Sequence, residues 1–195
     1  MSKSPVRIVV IAASEGGIKA ISMILSALPA TFPVAIAIVQ HRGKGPEGVL
    51  AQIFGRVTAL RVKEAVAGEL VEAGTVYLAP ASVHLLIETG GKTALSNGPK
   101  VRFARPSADV LFQSVAATYG PGVVAVVLTG GDGDSADGAS LIKQAGGTVI
   151  AQDKESSEKF SMPATAISNG AVDSVLPLDR IAARLIQLVD LSPID

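Results

Sequence analysis

The sequence of 195 residues contains no cysteine and only two histidines, His41 and His84. The absence of cysteine excludes disulfides, thiolate-bound zinc and a cysteine nucleophile, and it fits a reducing compartment. Charge of one sign is not in excess either, because 17 Lys and Arg balance 17 Asp and Glu. The linear sequence shows no basic run of the kind that binds nucleic acid or an anionic membrane, so we expect neither as a partner.

Long hydrophobic runs are also missing, and none approaches the roughly 20 residues that a membrane span requires. The first apolar run, IVVIAA at residues 8–13, is shorter than the roughly 7 to 15 residues of a signal-peptide core. It leads directly into a glycine turn and a helical pattern. We interpret this run as a first strand and expect a cytoplasmic protein with no membrane insertion.

Apolar residues make up 48% of the chain, which is enough for the core of one substantial domain. Four continuous apolar runs rich in β-branched residues are typical of strands buried on both faces of a parallel sheet; they are residues 7–13, 33–40, 123–129 and 147–152. Apolar residues at helical spacing follow these runs and recur near the C-terminus. We therefore predict an α/β fold, a doubly wound and mainly parallel sheet with helices on both faces.

The segment from residue 58 to residue 96 has a different pattern. Short strand-like pieces alternate there with Gly-Glu and Gly-Gly turns, which are typical of hairpins. We expect this segment to extend the parallel sheet with antiparallel hairpins.

Polar residues follow three of the predicted parallel strands. Ser14 follows the first strand, His41 the second, and Asp132 and Asp134 come just after the third, which ends at Thr129. Because ligands bind beyond the carboxyl ends of parallel strands, we expect these side chains to share one edge of the sheet. A serine, a histidine and an aspartate are the groups of a nucleophilic triad, in which the histidine takes the hydroxyl proton and the aspartate orients the histidine.

Each of these residues also has a simpler explanation. A serine before a helix is commonly an N-cap, so Ser14 alone does not indicate a nucleophile. His41 is compatible with an ordinary loop histidine, and Asp134 is compatible with a cap of the following helix.

A metal site in the aspartate-rich loop is a further alternative. Counted from Asp132, a calcium-binding loop would need an oxygen ligand, a glycine and a glutamate where the chain has Ala136, Asp137 and Lys143. We therefore expect no metal, although two of the carboxylates still allow a Mg²⁺ site that nothing else supports. The turn after the first strand, SEGG at residues 14–17, is not the dinucleotide-binding motif G-x-G-x-x-G, and the chain lacks the phosphate-binding motif G-x-x-x-x-G-K-[ST].

Seven blocks of the sequence, in the same order, resemble the catalytic domain of CheB, the chemotaxis protein-glutamate methylesterase. They are VVIAASEGGIKAI, AIVQHRGKG, VYLAPASVHLL, RPSADVLFQSVA, VVLTGGDGDSADG, QAGGTVIAQD and MPATAISNGAVDSVLPLDRIA. The resemblance implies hydrolysis of glutamate methyl esters, and deamidation of some glutamines, on a methyl-accepting chemotaxis receptor, with no cofactor. It also implies that residues 1–195 form a single CheB-type catalytic domain, with no receiver domain in this chain.

The resemblance assigns the catalytic residues. The G-A-S-x-G-G turn of the family falls on Ser14, its Q-H pair falls on His41, and the aspartate of its L-T-G-M-G-x-D-G loop falls on Asp134. The implied catalytic residues are therefore Ser14 as nucleophile, His41 as base and Asp134 as the acid that orients it.

We expect the oxyanion to be held by backbone N–H groups near Glu15 and in the turn formed by Gly130 and Gly131. The adjacent Gly16 and Gly17 are expected to let the substrate approach closely.

The residues around these positions depart from the family pattern, which has glycine where this chain has Ala12 and Ser135. Glu15 stands where threonine or alanine is common, and Gly131-Asp132 replaces Met-Gly. The added carboxylates place negative charge where an oxyanion must form, which would slow the reaction. The alternatives are therefore a catalytically degenerate CheB-like module that binds a receptor or signalling partner, and an esterase for small molecules.

The segment RPSADVLF and the second histidine are expected to be structural. We predict that Ser107 is an N-cap, that Arg105 and Asp109 form a local ion pair, and that His84 braces the fold or lies at the rim of the cleft.

Overall fold

The computed structural model describes residues 6–42 and 48–190, so the end of the AIVQHRGKG block, residues 43–45, lies outside the described part. Within the described residues the chain forms nine strands and six α-helices. The strands are β1 (Ile8–Ala13), β2 (Ala35–Gln40), β3 (Arg61–Glu64), β4 (Thr75–Leu78), β5 (His84–Glu88), β6 (Lys92–Ser96), β7 (Val123–Val127), β8 (Thr148–Gln152) and β9 (Ser174–Leu176). The helices are α1 (Gly17–Ala27), α2 (Val49–Gly55), α3 (Ala108–Tyr119), α4 (Ala136–Gln144), α5 (Ser161–Ser168) and α6 (Leu178–Asp190). Among the described helices, none is long and apolar enough to cross a membrane.

Seven of the described strands form one sheet in the order β3-β4-β2-β1-β7-β8-β9. Every neighbouring pair in it is parallel. The four continuous apolar runs are its central strands β1, β2, β7 and β8, and the first three of these are buried along their whole length. The predicted doubly wound parallel sheet is therefore confirmed.

The prediction of antiparallel hairpins in residues 58–96 is confirmed for β5 and β6 and is wrong for β3 and β4. Strands β3 and β4 belong to the main sheet and pair parallel to each other, because residues 65–74 return the chain to the edge where β3 began. Only β5 and β6 form an antiparallel hairpin, which is a separate two-stranded sheet. Glycine turns mark both a crossover loop and a hairpin, so the turn signal alone did not distinguish the two connections.

Two layers of helices cover the sheet because alternate strand residues point to opposite faces. In β1, Val9 and Ile11 pack in the same core as helices α1, α2 and α6. Ile8, Val10 and Ala12 pack instead with α3, α4, α5 and the hairpin. The two cores hold both faces of each central strand away from water.

The position of a binding site follows from this winding. Helix α1 follows β1 on one face, whereas α4 follows β7 on the other. In such sheets a crevice opens between the carboxyl ends of the two strands whose connections diverge. Here that crevice lies between the end of β1 and the end of β7, with β2 beside β1.

Candidate active site

Ser14 and His41 are held side by side by backbone hydrogen bonds that continue the sheet beyond its regular strands. The N–H of Ser14 donates to the carbonyl of Thr129 over 3.0 Å, and the N–H of His41 donates to the carbonyl of Ala13 over 2.8 Å. The buried side chain of Gln40 donates to the carbonyls of both Ser14 and His41 over 2.8 Å. The ends of β1, β2 and β7 are thereby locked in one relative position.

Asp134 is buried completely, and its carboxylate accepts four hydrogen bonds. One comes from Nε2 of His41 over 2.7 Å and one from the hydroxyl of Ser107 over 2.7 Å. The other two come from the N–H groups of Ala108 and Asp109 at the start of α3, over 2.5 and 3.1 Å. Burial opposes its ionisation, but the hydrogen bonds from His41, Ser107 and α3 outweigh burial and lower the pKa of Asp134.

His41 lies between two carboxylates, because Asp132 also contacts it. Nδ1 of His41 is 3.0 Å from Oδ2 of Asp132, whereas Nε2 faces Asp134. Burial by itself lowers the pKa of His41, but the hydrogen bonds and charges of Asp132 and Asp134 raise it to about 9. At neutral pH the ring is therefore an imidazolium that donates to both carboxylates.

The hydroxyl of Ser14 makes no hydrogen bond to any residue that the structure describes. Ser14 does line the same cavity as His41 and Asp132, and it lies just before the N-terminus of α1. A serine, a histidine and a buried aspartate thus meet at one edge of the sheet, with a second aspartate on the histidine.

Comparison with known proteins places this arrangement in a family. A family model described as CheB methylesterase matches residues 9–185. The chain belongs to the CheB methylesterase family.

Curated members and a solved structure show how far the similarity extends. The chain is 45% identical to the protein-glutamate methylesterase FrzG of Myxococcus xanthus, over 95% of this chain and 56% of FrzG. It is 43% identical to the protein-glutamate methylesterase/protein-glutamine glutaminase 2 of Methanosarcina mazei, over 96% of this chain and 53% of that protein. The chain therefore spans about half the length of these relatives. The CheB methylesterase catalytic domain of Thermotoga maritima superposes with a TM-score of 0.91 at 41% identity, covering 94% of this chain and 99% of that one.

The backbone donors that we expected around the oxyanion are only partly available. The N–H of Gly130 donates to the carbonyl of Lys159 over 2.8 Å, so the expectation that it serves as an oxyanion donor is wrong. Gly130 instead packs tightly against its neighbours, since a methyl group there would lie 2.0 Å from Sδ of Met162 and 2.9 Å from Cβ of Ser14. The N–H groups of Glu15 and Gly131 have no partner among the described residues and remain the candidates.

The two glycines at the start of α1 are required by packing. Gly16 has φ +79°, and a methyl group there would lie 2.8 Å from Cβ of Glu158. At Gly17 a methyl group would lie 2.1 Å from Oε1 of Gln40. A side chain at either position would therefore collide with neighbouring side chains of this protein.

A cavity of about 820 Å³ opens beside Ser14 and His41. Its wall contains four cationic side chains and one exposed aromatic ring; these residues are Arg42, Lys100, Arg102, Arg105 and Phe103. Phe103 is 95% exposed. Sequence reasoning did not single out Lys100, Arg102 or Phe103, because only the fold brings the segment before α3 to the strand ends.

The segment before α3 is structural, but through different contacts than the ones we predicted. Ser107 occupies the N-cap position without a side-chain cap; its hydroxyl binds Asp134, and Asp134 caps α3 in its place. Arg105 does not pair with Asp109 and donates instead to the carbonyls of Asn97 and Gly98. Asp109 pairs with Arg102, with Nε and Oδ2 3.4 Å apart.

His84 is the buried structural histidine that we expected. Its Nδ1 accepts from the N–H of Ser107 over 3.1 Å, and its Nε2 donates to the carbonyl of Pro99 over 3.0 Å. It therefore supports the residue that binds Asp134. In the described part of the chain, no group of three or more His, Asp or Glu side chains is arranged to hold a metal ion.

Proposed function

We propose that this protein hydrolyses methyl esters of glutamate side chains in a protein substrate, with Ser14 as nucleophile, His41 as general base and Asp134 as its orienting acid. The observation that carries the proposal is the buried hydrogen bond of 2.7 Å between Nε2 of His41 and Asp134, at the strand end next to Ser14. A carboxylate in this position fixes the tautomer of the histidine and stabilises the imidazolium.

The first half of the reaction forms an acyl-enzyme. Neutral His41 takes the proton of the Ser14 hydroxyl as the serine oxygen bonds to the ester carbonyl carbon. The N–H groups of Glu15 and Gly131 are the donors that stabilise the resulting oxyanion. Collapse of this intermediate breaks the bond to the methoxy group, which leaves as methanol with the proton from His41.

The second half releases the product. His41 takes a proton from water, and the hydroxide attacks the acyl carbon that is bonded to Ser14. The intermediate collapses, Ser14 regains its proton from His41, and the glutamate carboxylate is released. The sequence of steps needs no cofactor.

The substrate that we propose is a methyl-accepting chemotaxis receptor. FrzG is named a protein-glutamate methylesterase, and the Methanosarcina mazei relative is also named a protein-glutamine glutaminase. Glutamine deamidation uses the same acyl-enzyme with ammonia as leaving group, so we include it as a second reaction of this site. The wide cavity is compatible with a side chain presented by a folded protein.

A second candidate function is favoured by the contact between Asp132 and His41. Because both ring nitrogens of His41 face carboxylates, the ring has no lone pair for the Ser14 proton in this state. A degenerate module that binds a receptor or signalling partner without turnover would be compatible with that geometry.

The deciding experiment measures methanol release from a methylated chemoreceptor signalling fragment. We expect release by the wild-type protein and a loss of at least about 10³-fold in Ser14→Ala, because removing a triad member leaves only binding and oxyanion stabilisation. The matched control is Ser26→Ala, which removes an exposed hydroxyl that binds only the carbonyl of Met23 within α1. Full release by Ser14→Ala would refute the nucleophile, and no release by any of the three folded proteins would favour the binding module.

A further inference from the structure

The two ring nitrogens of His41 are not equivalent. Nε2 donates to the fully buried carboxylate of Asp134, which also accepts from Ser107 and caps α3. The hydrogen bonds from Ser107 and from the start of α3 hold the Asp134 carboxylate in place beside Nε2. The nitrogen left for Ser14 is therefore Nδ1, and in this structure Nδ1 is occupied by Asp132 at 3.0 Å.

We propose that Asp132 is a positioning residue that holds His41 in an inactive state, and that its carboxylate must leave Nδ1 before His41 can accept the proton of Ser14. This inference rests on the proposed function. In the reactive state the proton on Nδ1 is lost to solvent, Nε2–H still donates to Asp134, and the Nδ1 lone pair faces the Ser14 hydroxyl.

Asp132 is the less constrained of the two carboxylates that contact His41. Its side chain is 39% exposed, whereas that of Asp134 is completely buried. It is flanked by Gly131 and Gly133, where an added methyl group would meet nothing closer than 3.7 Å. One anchor holds it in the loop, since its Oδ1 accepts the N–H of Asp134 over 3.0 Å.

Among the charged groups around His41, Asp132 and Asp134 have the largest effect on its pKa. Arg42, the next residue, is paired with Glu64 at 3.1 Å. From the segment before α3, Arg102 is paired with Asp137 at 2.6 Å, while Lys100 and Arg105 lie in the same cavity wall. The carboxylates of Asp132 and Asp134 are the charged groups that make hydrogen bonds to the ring, and they raise its pKa to about 9.

The test compares the wild-type protein with Asp132→Asn. Asparagine still offers an oxygen to the N–H of Asp134, so the loop is retained, but its amide carries no charge. The chain has only two histidines, so the ring pKa of His41 is measured directly by NMR, with the signal assigned by its loss in His41→Gln. The same two proteins are assayed for the pH dependence of kcat/KM for methanol release from the methylated receptor fragment.

We expect Asp132→Asn to lower the ring pKa of His41 by about one unit or more, the usual effect of one neighbouring carboxylate. The acid limb of the kcat/KM profile should move to lower pH by the same amount. At pH 7 this corresponds to a gain of about tenfold in kcat/KM, since the neutral fraction of His41 rises tenfold per unit. Asp132→Gly removes the side chain entirely and should give the same two shifts.

Asp137→Asn is the matched control, because it removes a carboxylate from the same region that does not contact His41. The ring pKa of His41 should not change in this variant. An unchanged ring pKa in both Asp132 variants would overturn the inference. So would a lowered ring pKa with an acid limb that stays in place. A lowered ring pKa with no hydrolysis by any variant would instead overturn the proposed function. The inactivating role of Asp132 would then be overturned as well, although its contact with His41 would be confirmed.

Discussion

Asp109 and Asp134 are two neighbouring buried carboxylates whose pKa values are shifted in opposite directions. Asp134 keeps its charge because His41, Ser107 and the start of α3 all donate to it. Burial, followed by the charges of Asp134 and Asp137, raises the pKa of Asp109 to about 6, although the N–H of Gly138 donates to it over 2.7 Å. The negative charge of Asp134 is thus one of the causes of the raised pKa of Asp109.

The residue-scale prediction is that ionisation of Asp109 lowers the free energy of unfolding. Because its pKa is higher in the folded chain than the ordinary 3.8, its contribution to stability is complete below about pH 4 and is lost as the pH rises through about 6. We expect Asp109→Asn to keep the hydrogen bond from Gly138 and to raise the free energy of unfolding at pH 7 by on the order of 1 kcal/mol. Urea unfolding at pH 4.5 and pH 7 measures the effect.

The control for this substitution is Asp137→Asn, which removes an exposed carboxylate from the same arginine, Arg102. An exposed pair of this kind contributes little to stability, so that variant should change little. The interpretation of Asp109 fails if Asp109→Asn is less stable than the wild-type protein at pH 7.

At the scale of elements, the turn from Val101 to Ala104 is conformationally unfavourable. Its two central residues, Arg102 and Phe103, have φ of +46° and +64°, and the turn is closed by two backbone hydrogen bonds between Val101 and Ala104 of 3.1 and 2.8 Å. Left-handed conformations cost roughly 1–2 kcal/mol for residues with a Cβ. The turn thereby presents an exposed phenyl ring at the wall of the cavity, an arrangement found where local strain serves function.

The element-scale prediction is that Phe103→Gly separates stability from substrate binding. Glycine adopts positive φ without a steric cost, so the free energy of unfolding should rise by about 0.5–1 kcal/mol. Loss of the apolar ring should raise KM for the methylated receptor fragment by about tenfold, with kcat unchanged. A phenyl group that the bound substrate partly buries contributes roughly 1.5 kcal/mol to binding. Urea unfolding and steady-state kinetics on one preparation test both parts.

Phe103→Ser is the matched comparison, since it removes the ring but keeps a Cβ at positive φ. It should raise KM as Phe103→Gly does, without the gain in stability. A KM that is unchanged in both variants would show that the ring does not contact the substrate.

On the scale of the whole molecule, the protonation of His41 affects the stability of the fold as well as the proposed reaction. The imidazolium joins the end of β2 to the loop after β7 and, through Asp134, to the start of α3. It therefore joins three elements that are far apart in the sequence. The form of His41 that stabilises the fold is the charged one, whereas the mechanism that we propose requires the neutral form to activate Ser14.

The whole-molecule prediction is a pH dependence of global stability. The pKa of His41 is raised from 6.5 to about 9 on folding, so its contribution is complete below pH 6.5 and is lost as the pH rises through 9. We expect the free energy of unfolding to fall between pH 6.5 and pH 9.5 by about 2 kcal/mol more in the wild-type protein than in His41→Gln. Denaturant unfolding of the two proteins across this range measures the difference, and parallel pH profiles would contradict it.

The sequence by itself determined the central sheet and the residues at its edge. Continuous β-branched runs identify strands buried on both faces, because such strands have no polar face to alternate with. Four of these runs became β1, β2, β7 and β8. Since the carboxyl ends of parallel strands meet at one edge, the pattern also placed Ser14 and His41 together with Asp132 and Asp134.

Tertiary structure alone decided the connections of the peripheral strands and the hydrogen bonds of the site. Whether a glycine turn closes a hairpin or leads into a crossover depends on which edge is free, and that is a property of the assembled sheet. In the same way, a carboxylate that follows a neighbouring strand can bind either ring nitrogen of the histidine, a helix N-terminus, or none of these. Only the packing of α3 against the loop after β7 assigned Asp134 to Nε2 and to the helix cap, and left Nδ1 to Asp132.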